Sequence, residues 1–182
     1  MSTLFTKIID GELPGRFVWT DDTVVGFLSI NPLGPGHTLV VPRVEVDHWV
    51  EADPALVAHL TGVSHAIGSA ITKVWQPPRV GLIVAGFEVP HLHVHVFPAW
   101  DMAAFDFAGA AVRAVWAPPR VGLLVAGFEV PHLHVHVFPA ADMRAFDFAN
   151  AAATVDADEQ DGYADALRAA LRAAGHEAST SD

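Results

Sequence analysis

The chain has 182 residues, of which 52% are hydrophobic and 17% are charged, and this composition predicts a folded core in one domain with room for an appendage. Its formal net charge of −11 argues against a general nucleic-acid binder, and the absence of cysteine excludes disulfides, thiolate catalysis and cysteine-ligated zinc. No apolar run approaches the roughly 20 residues that span a bilayer, and the first residues lack the apolar stretch of a secretory signal. We therefore expect a cytoplasmic protein without membrane or nucleic-acid partners.

Short apolar segments separated by turn residues predict strands in the first third of the chain and again after residue 78. Between them, Asp53 and Pro54 have the residue types of a helix N-terminus, and apolar residues recur every three or four positions from Leu56 to Val74. The predicted strands cover residues 17–20, 23–28, 37–41, 79–87 and 91–97, and an amphipathic helix is predicted for 161–174.

A long internal repeat follows the helix. Residues 74–111 and 115–152 align without a gap at an offset of 41, and only five of the 38 pairs differ. Repeat architectures usually drift in sequence and have three or more units, so a tandem duplication is the better interpretation. It predicts three parts: residues 1–111 as a domain, 112–152 as a duplicated pair of strands packed on the same fold or swapped, and 153–182 as an acidic linker and a helix.

Each copy contains the sequence PHLHVHVFPA, at 90–99 and at 131–140. Side chains alternate between the two faces of a strand, so His91, His93 and His95 should share one face. Such a row can present one imidazole as a nucleophile while its neighbours fix tautomers and move protons, which suits transfer at phosphorus. Two other interpretations stay open, namely a metal site ligated by histidines and a purely structural role.

The sequence HLHVHVF, together with FTKIIDGELPGR and FLSINPLGPGHTLVVPR, resembles the histidine triad (HIT) superfamily over about residues 4–100. The resemblance implies an α+β fold with a five-stranded antiparallel sheet, a long helix and usually a homodimer. The duplicated segment adds a strand-swapped homodimer as one option. It also implies hydrolysis or transfer at the α-phosphate of nucleotides, through a covalent nucleotidyl-histidine, on substrates such as phosphoramidates and dinucleoside polyphosphates. A purine nucleotide or nucleotide conjugate would then be the ligand, with no cofactor.

The same resemblance assigns roles to individual residues. His93 would be the nucleophile, flanked by His91 and His95 and supported by His37. The apolar positions Phe5, Ile8, Phe27 and Ile30 would line the nucleobase pocket, with ordinary core packing as the alternative for each. We expect no metal ligands, since the cysteine pair that binds zinc in some relatives is absent.

Three positions depart from the family pattern and put the substrate class in doubt. Ser29 stands where an acidic or amide residue usually holds the ribose, and Phe87 and Glu88 replace a polar pair near the phosphate. Turnover could therefore be lost while nucleotide binding or sensing remains, and a metal-dependent hydrolase is the third reading.

The second copy raises the question of which triad works. Copy 1 follows the long helix directly, as the family order requires, and each chain has only one set of N-terminal pocket residues. We expect the first triad to be active and His132, His134 and His136 to be structural, in strands added to the sheet.

Overall fold

The computed structural model describes residues 2–87, 89–101, 120–125, 135–140, 156–158 and 161–162. The chain forms two compact units, Met1–Ala149 and Asn150–Asp182. In the second unit, residues 157–158 and 161–162 are helical. The rest of the predicted helix at 161–174 lies outside the described residues, as does the predicted helix end before the second copy. The proposed domain boundaries at 111 and 152 remain predictions.

Among its described residues, the first unit contains two α-helices, a short 3-10 helix and seven strands. In chain order these are α1 (Leu4–Ile9), β1 (Phe17–Thr20), β2 (Val24–Leu28), β3 (Thr38–Pro42), the 3-10 helix (Trp49–Glu51), α2 (Pro54–Trp75), β4 (Arg79–Val84), β5 (Val94–Ala99), β6 (Arg120–Val125) and β7 (His136–Ala140).

All seven strands form one antiparallel sheet in the order β1-β2-β3-β5-β4-β6-β7. The first five are the predicted five-stranded sheet, so the predicted α+β class is confirmed. The two strands of the duplicated segment extend the same sheet, because β6 pairs with β4 and β7 pairs with β6.

Helix α2 forms where the apolar periodicity predicts it. The Asp53 side chain accepts a hydrogen bond from the backbone N–H of Ala55, and Gln76 ends the helix in the left-handed conformation at φ 50°. By length and composition alone α2 could cross a membrane. Its apolar face nevertheless packs on the sheet through Leu60, Val63 and Ile71 in the manner of a core helix.

Two apolar clusters lie on opposite faces of the sheet. Val24, Val40, Val94 and Val96 pack with α2 on one face. Strand alternation sends the intervening residues to the other face, where they meet α1, a helix that the sequence analysis did not predict. That second cluster consists of Phe5, Val25, Phe27, Leu39 and Val41.

Two predicted strands are shorter than expected next to the triad. The strand predicted for 79–87 ends at Val84, because Gly86 adopts a positive φ of 71° that breaks the extended run. The strand predicted for 91–97 begins only at Val94. His91 and His93 therefore precede β5, and the Leu92 backbone N–H donates to the Val46 carbonyl, 2.6 Å away, instead of to a neighbouring strand.

Candidate active site

A cleft opens on the face of the sheet opposite α2, between α1, the loop after β2 and the histidine segment. His93 and His95 contribute to its floor together with His37, which directly precedes β3. The residues that line it are Leu4, Phe5, Ile8, Pro14, Gly15, Arg16, Phe27, Leu28, Ser29, Ile30, Asn31, Leu33, His37, Leu39, Ala85, Gly86, Phe87, Val89, His93 and His95.

His93 is held in one orientation. Its Nδ1 lies 2.8 Å from the His91 carbonyl oxygen, which can only accept, so the Nδ1 carries the proton and donates it. Neutral His93 then has its lone pair on Nε2, the nitrogen that a nucleophile needs. The Phe5 ring meets the His93 ring edge-on at 4.9 Å between centroids, and the side chain is only 5% exposed.

His37 and His95 form a pair whose tautomers follow from one backbone contact. The Leu33 backbone N–H donates to Nδ1 of His37 over 3.1 Å, so neutral His37 carries its proton on Nε2. That Nε2 lies 3.1 Å from Nδ1 of His95, which must accept. The proton of neutral His95 is therefore on its Nε2.

Burial keeps both members of this pair neutral near pH 7. It lowers the pKa of His37 to about 4, and the nearby His93 adds to the effect. Burial also lowers the pKa of His95 well below its ordinary value, with further contributions from His93 and His37. The tautomer assignments above therefore hold at neutral pH.

His91 is fully buried and does not line the cleft. Its Nε2 donates to the Pro42 carbonyl at 2.8 Å, and its Nδ1 lies 2.7 Å from the Thr3 hydroxyl. Thr3 also caps α1 by accepting from the Thr6 backbone N–H. The same hydrogen bonds thus position both α1 and His91, whose carbonyl orients His93.

Glu45 anchors this arrangement from the segment after β3. Its carboxylate accepts from the Thr3 backbone N–H at 2.9 Å and from the Thr6 hydroxyl. The hydrogen bond from Thr6 has the larger effect and that from Thr3 the smaller, and both lower the pKa of Glu45 below its ordinary value. The carboxylate is therefore charged. The charged Glu45 carboxylate thus holds Thr3 and Thr6 in place at the start of α1.

Three of the four predicted nucleobase residues come together as an apolar wall. Phe5 and Phe27 are buried and meet edge-on at 5.7 Å, and Ile8 packs against them. Ile30 is 85% exposed and so belongs to the rim of the cleft rather than to its interior. The Ser29 hydroxyl accepts from the Asn31 backbone N–H at 3.2 Å.

Several residues at or beside the site were missed by the sequence analysis. Arg16 and Asn31 line the cleft from loops. Thr3 contacts His91 although 88 positions separate the two, and Glu45 acts on His91 only through its hydrogen bond to Thr3. Threonine is a favoured N-cap residue, so Thr3 could have indicated the start of α1. No local pattern pairs Thr3 or Glu45 with the histidine segment.

The second triad is described only in part. His136 lies in β7, two strands away from β4, whereas His132 and His134 lie outside the described residues, as does Glu88. Within the described ranges no group of three or more His, Asp or Glu side chains could hold a metal ion.

Comparison with known proteins gives a consistent result. Residues 10–102 match the HIT domain. The chain is 35% identical over 111 residues to an uncharacterized HIT-like protein of Borreliella burgdorferi, covering 57% of this chain and 80% of the relative. It is 33% identical over 100 residues to the adenylylsulfatase HINT3 of Arabidopsis thaliana, covering 52% of this chain and 51% of that protein.

Solved structures agree with the sequence matches. A HIT family protein from Bacillus anthracis superposes with a TM-score of 0.52 at 32% identity, over 63% of this chain and 80% of that chain. The HIT domain spans about half of the 182 residues, including the whole first triad and most of the residues that line the cleft. The chain therefore belongs to the HIT family.

Proposed function

We propose that this chain is a nucleotide hydrolase or transferase that forms a covalent intermediate on His93. Membership of the HIT family supports nucleotide-directed hydrolysis or transfer in general terms. The observation that carries the finer proposal is the hydrogen bond from Nδ1 of His93 to the His91 carbonyl. It fixes the tautomer with the lone pair on Nε2, on a side chain that lines the cleft.

The reaction has two displacements. In the first, Nε2 of His93 attacks the α-phosphorus, a phosphorus–nitrogen bond forms and the bond to the leaving group breaks. In the second, water attacks the same phosphorus, the bond to His93 breaks and a nucleoside monophosphate leaves. The Nε2–H of neutral His95 is proposed to hydrogen-bond the leaving group, while His37 keeps His95 in that tautomer.

The apolar wall of the cleft supports a purine as the base. Phe5 lies beside the nucleophile and Phe27 packs against Phe5, and both line the cleft, where aromatic rings can bind the face of a nucleobase. The Arabidopsis relative is named an adenylylsulfatase, so adenylyl sulfate joins adenosine phosphoramidate as a substrate to test. We propose a purine nucleotide or nucleotide conjugate as the ligand and no required cofactor.

The duplication supplies a matched control for the nucleophile. His93→Ala should lower turnover of adenosine 5′-phosphoramidate by several orders of magnitude, because the bond-forming atom is gone. His134→Ala changes the same position of the second copy and should leave turnover near that of the parent. Loss of activity in His134→Ala, with His93→Ala still active, would assign the reaction to the second triad.

Two further measurements separate the other functional classes. Turnover that survives EDTA supports histidine catalysis, whereas loss to the chelator supports a metal-dependent hydrolase. Calorimetric binding of AMP without turnover of either substrate would indicate a nucleotide-binding or sensing protein. The departures at Ser29, Phe87 and Glu88 would then be the first positions to restore.

A further inference from the structure

The pairing of β4 with β6 has an internal two-fold symmetry. The register places Leu82 opposite Val125, Ile83 opposite Leu124 and Val84 opposite Leu123. Because the two copies are offset by 41, Ile83 and Leu124 are equivalent positions, and they face each other. On either side of them, Leu82 faces the equivalent of Val84, and Val84 faces the equivalent of Leu82. The symmetry axis therefore passes between Ile83 and Leu124.

The symmetry extends to the next strands. Ile83 lies opposite His95 in β5, and Leu124 lies opposite His136 in β7, which is the equivalent residue. Likewise Arg79 pairs with Ala99, and Arg120 pairs with Ala140. The strands β5-β4-β6-β7 thus consist of two equivalent hairpins related by one axis.

This is the geometry of an isologous interface between two identical chains. At its centre Ile83 and Leu124 are both buried, 0% and 1% exposed, so the pairing closes an apolar contact as well as a strand edge.

We infer that β6 and β7 take, within each chain, the place that the β4 and β5 strands of a second copy would occupy. The edge of β4 is a surface that fits a copy of itself, and the chain supplies that copy. An unpaired strand edge is a template for another chain, and here that template is already occupied. A homodimer of this protein would then have to form through another surface.

Introduced cysteines test this pairing against a clean background, since the chain has none. Directly opposite residues of antiparallel strands have Cα atoms about 4.5–5.5 Å apart, within the range of a disulfide. Ile83→Cys with Leu124→Cys, oxidised in a glutathione buffer, should form a disulfide within one chain and run as a monomer on a non-reducing gel. Leu82→Cys with Val125→Cys, a second and half-buried pair, should do the same.

Two control variants make the outcome decisive. Leu82→Cys with Leu124→Cys places the thiols on opposite faces of the sheet and should not cross-link. Ile83→Cys alone should stay monomeric, and a covalent dimer from it would overturn the inference, because β4 edges of two chains would be pairing. Covalent dimers from the double variants would also overturn the inference, because the paired strands would then belong to different chains. Folded double variants without any disulfide would show that β6 does not lie beside β4.

Discussion

At the scale of single residues, the site is a set of imidazoles whose protons are assigned by groups that can only donate or only accept. The Leu33 N–H fixes His37, the His91 carbonyl fixes His93, and the Pro42 carbonyl fixes His91. Each contact comes from a different segment of backbone, so the tautomers of the histidines depend on the fold being intact. Substitutions at the periphery should therefore affect chemistry through these contacts.

Thr3 offers the clearest test of such an indirect effect. Thr3→Val removes the hydroxyl that contacts His91 and should lower kcat about fivefold while KM changes little, since a lost hydrogen bond costs about 1 kcal/mol. Thr3→Ser keeps the hydroxyl and should restore kcat. Thr61→Val removes an exposed hydroxyl on α2 and should leave both constants unchanged.

Steady-state kinetics of the three variants, with urea unfolding measured alongside, check this prediction. The valine also removes the cap of α1, so some loss of stability is expected. A parallel fall of kcat in Thr3→Ser, or an unchanged kcat in Thr3→Val, would rule out positioning of His91 by this hydroxyl.

The buried pair also predicts how stability depends on pH. Burial lowers the pKa of His37 to about 4, whereas the same side chain in the unfolded chain titrates near 6.5. Between these values the unfolded chain binds a proton that the folded chain does not, so stability is lost as the pH falls from about 6.5 to about 4. The loss from His37 amounts to about 3 kcal/mol, and His95 acts in the same direction.

Urea unfolding at several pH values between about 7.5 and 4.5 measures this loss. In His37→Gln the free energy of unfolding should fall less steeply over that range. The exposed His65 on α2 provides a control, and His65→Gln should follow the parent. An equally steep fall in His37→Gln would assign the pH dependence to other groups.

At the scale of elements, the parts that the sequence predicted are those with a strong local pattern. Helix α2 has an N-cap, an early proline and a sustained apolar stripe, and it forms over Pro54–Trp75. Helix α1 has only six residues, and Phe5, on its buried side, packs against Phe27 and the His93 ring, both distant in sequence. Because tertiary contacts rather than local propensity support so short a helix, its sequence gave little warning of it.

For the triad segment, the sequence predicted which side chains enter the core but not where the regular strand begins. Alternation placed Leu92 and Val94 in the core, as observed, yet His91 and His93 precede the regular strand. The bonds from Leu92 to Val46 and from His91 to Pro42 decide this, and both partners lie far away in the sequence. No periodicity can report such pairings.

Two glycines should respond in opposite ways to the same substitution. Gly36, in the loop before β3, has a φ of 78°, and a Cβ there would lie 2.3 Å from the Trp75 ring. Gly36→Ala should therefore destabilise the fold by about 2 kcal/mol or more. Gly62 lies in α2 with open space around it, and Gly62→Ala should stabilise by about 0.5–1 kcal/mol.

Urea unfolding of the two variants measures both effects. A tolerated alanine at position 36 would mean that the loop has another conformation with a negative φ. In that case the Leu33 contact to His37, which the same loop supplies, would also need another explanation.

At the scale of the whole molecule, the duplication shows what a sequence cannot specify by itself. The two copies of PHLHVHVFPA are identical, yet Val96 is 1% exposed and its equivalent Val137 is 60% exposed. The difference arises from the layer above the strand, since α2 covers β5 and each chain has one such helix among its described residues. Burial is thus a property of the neighbours rather than of the segment.

The two equivalent valines turn this contrast into a prediction. Val96→Thr places a hydroxyl in the apolar contact with α2 and should lower the free energy of unfolding by about 1–3 kcal/mol. Val137→Thr makes the same change on an exposed face and should alter it by less than about 0.5 kcal/mol. Urea unfolding of both variants, at two protein concentrations, provides the comparison. A large cost at Val137 that grows with protein concentration would mean that a second molecule covers β7, whereas a large cost independent of concentration would mean that the same chain covers it.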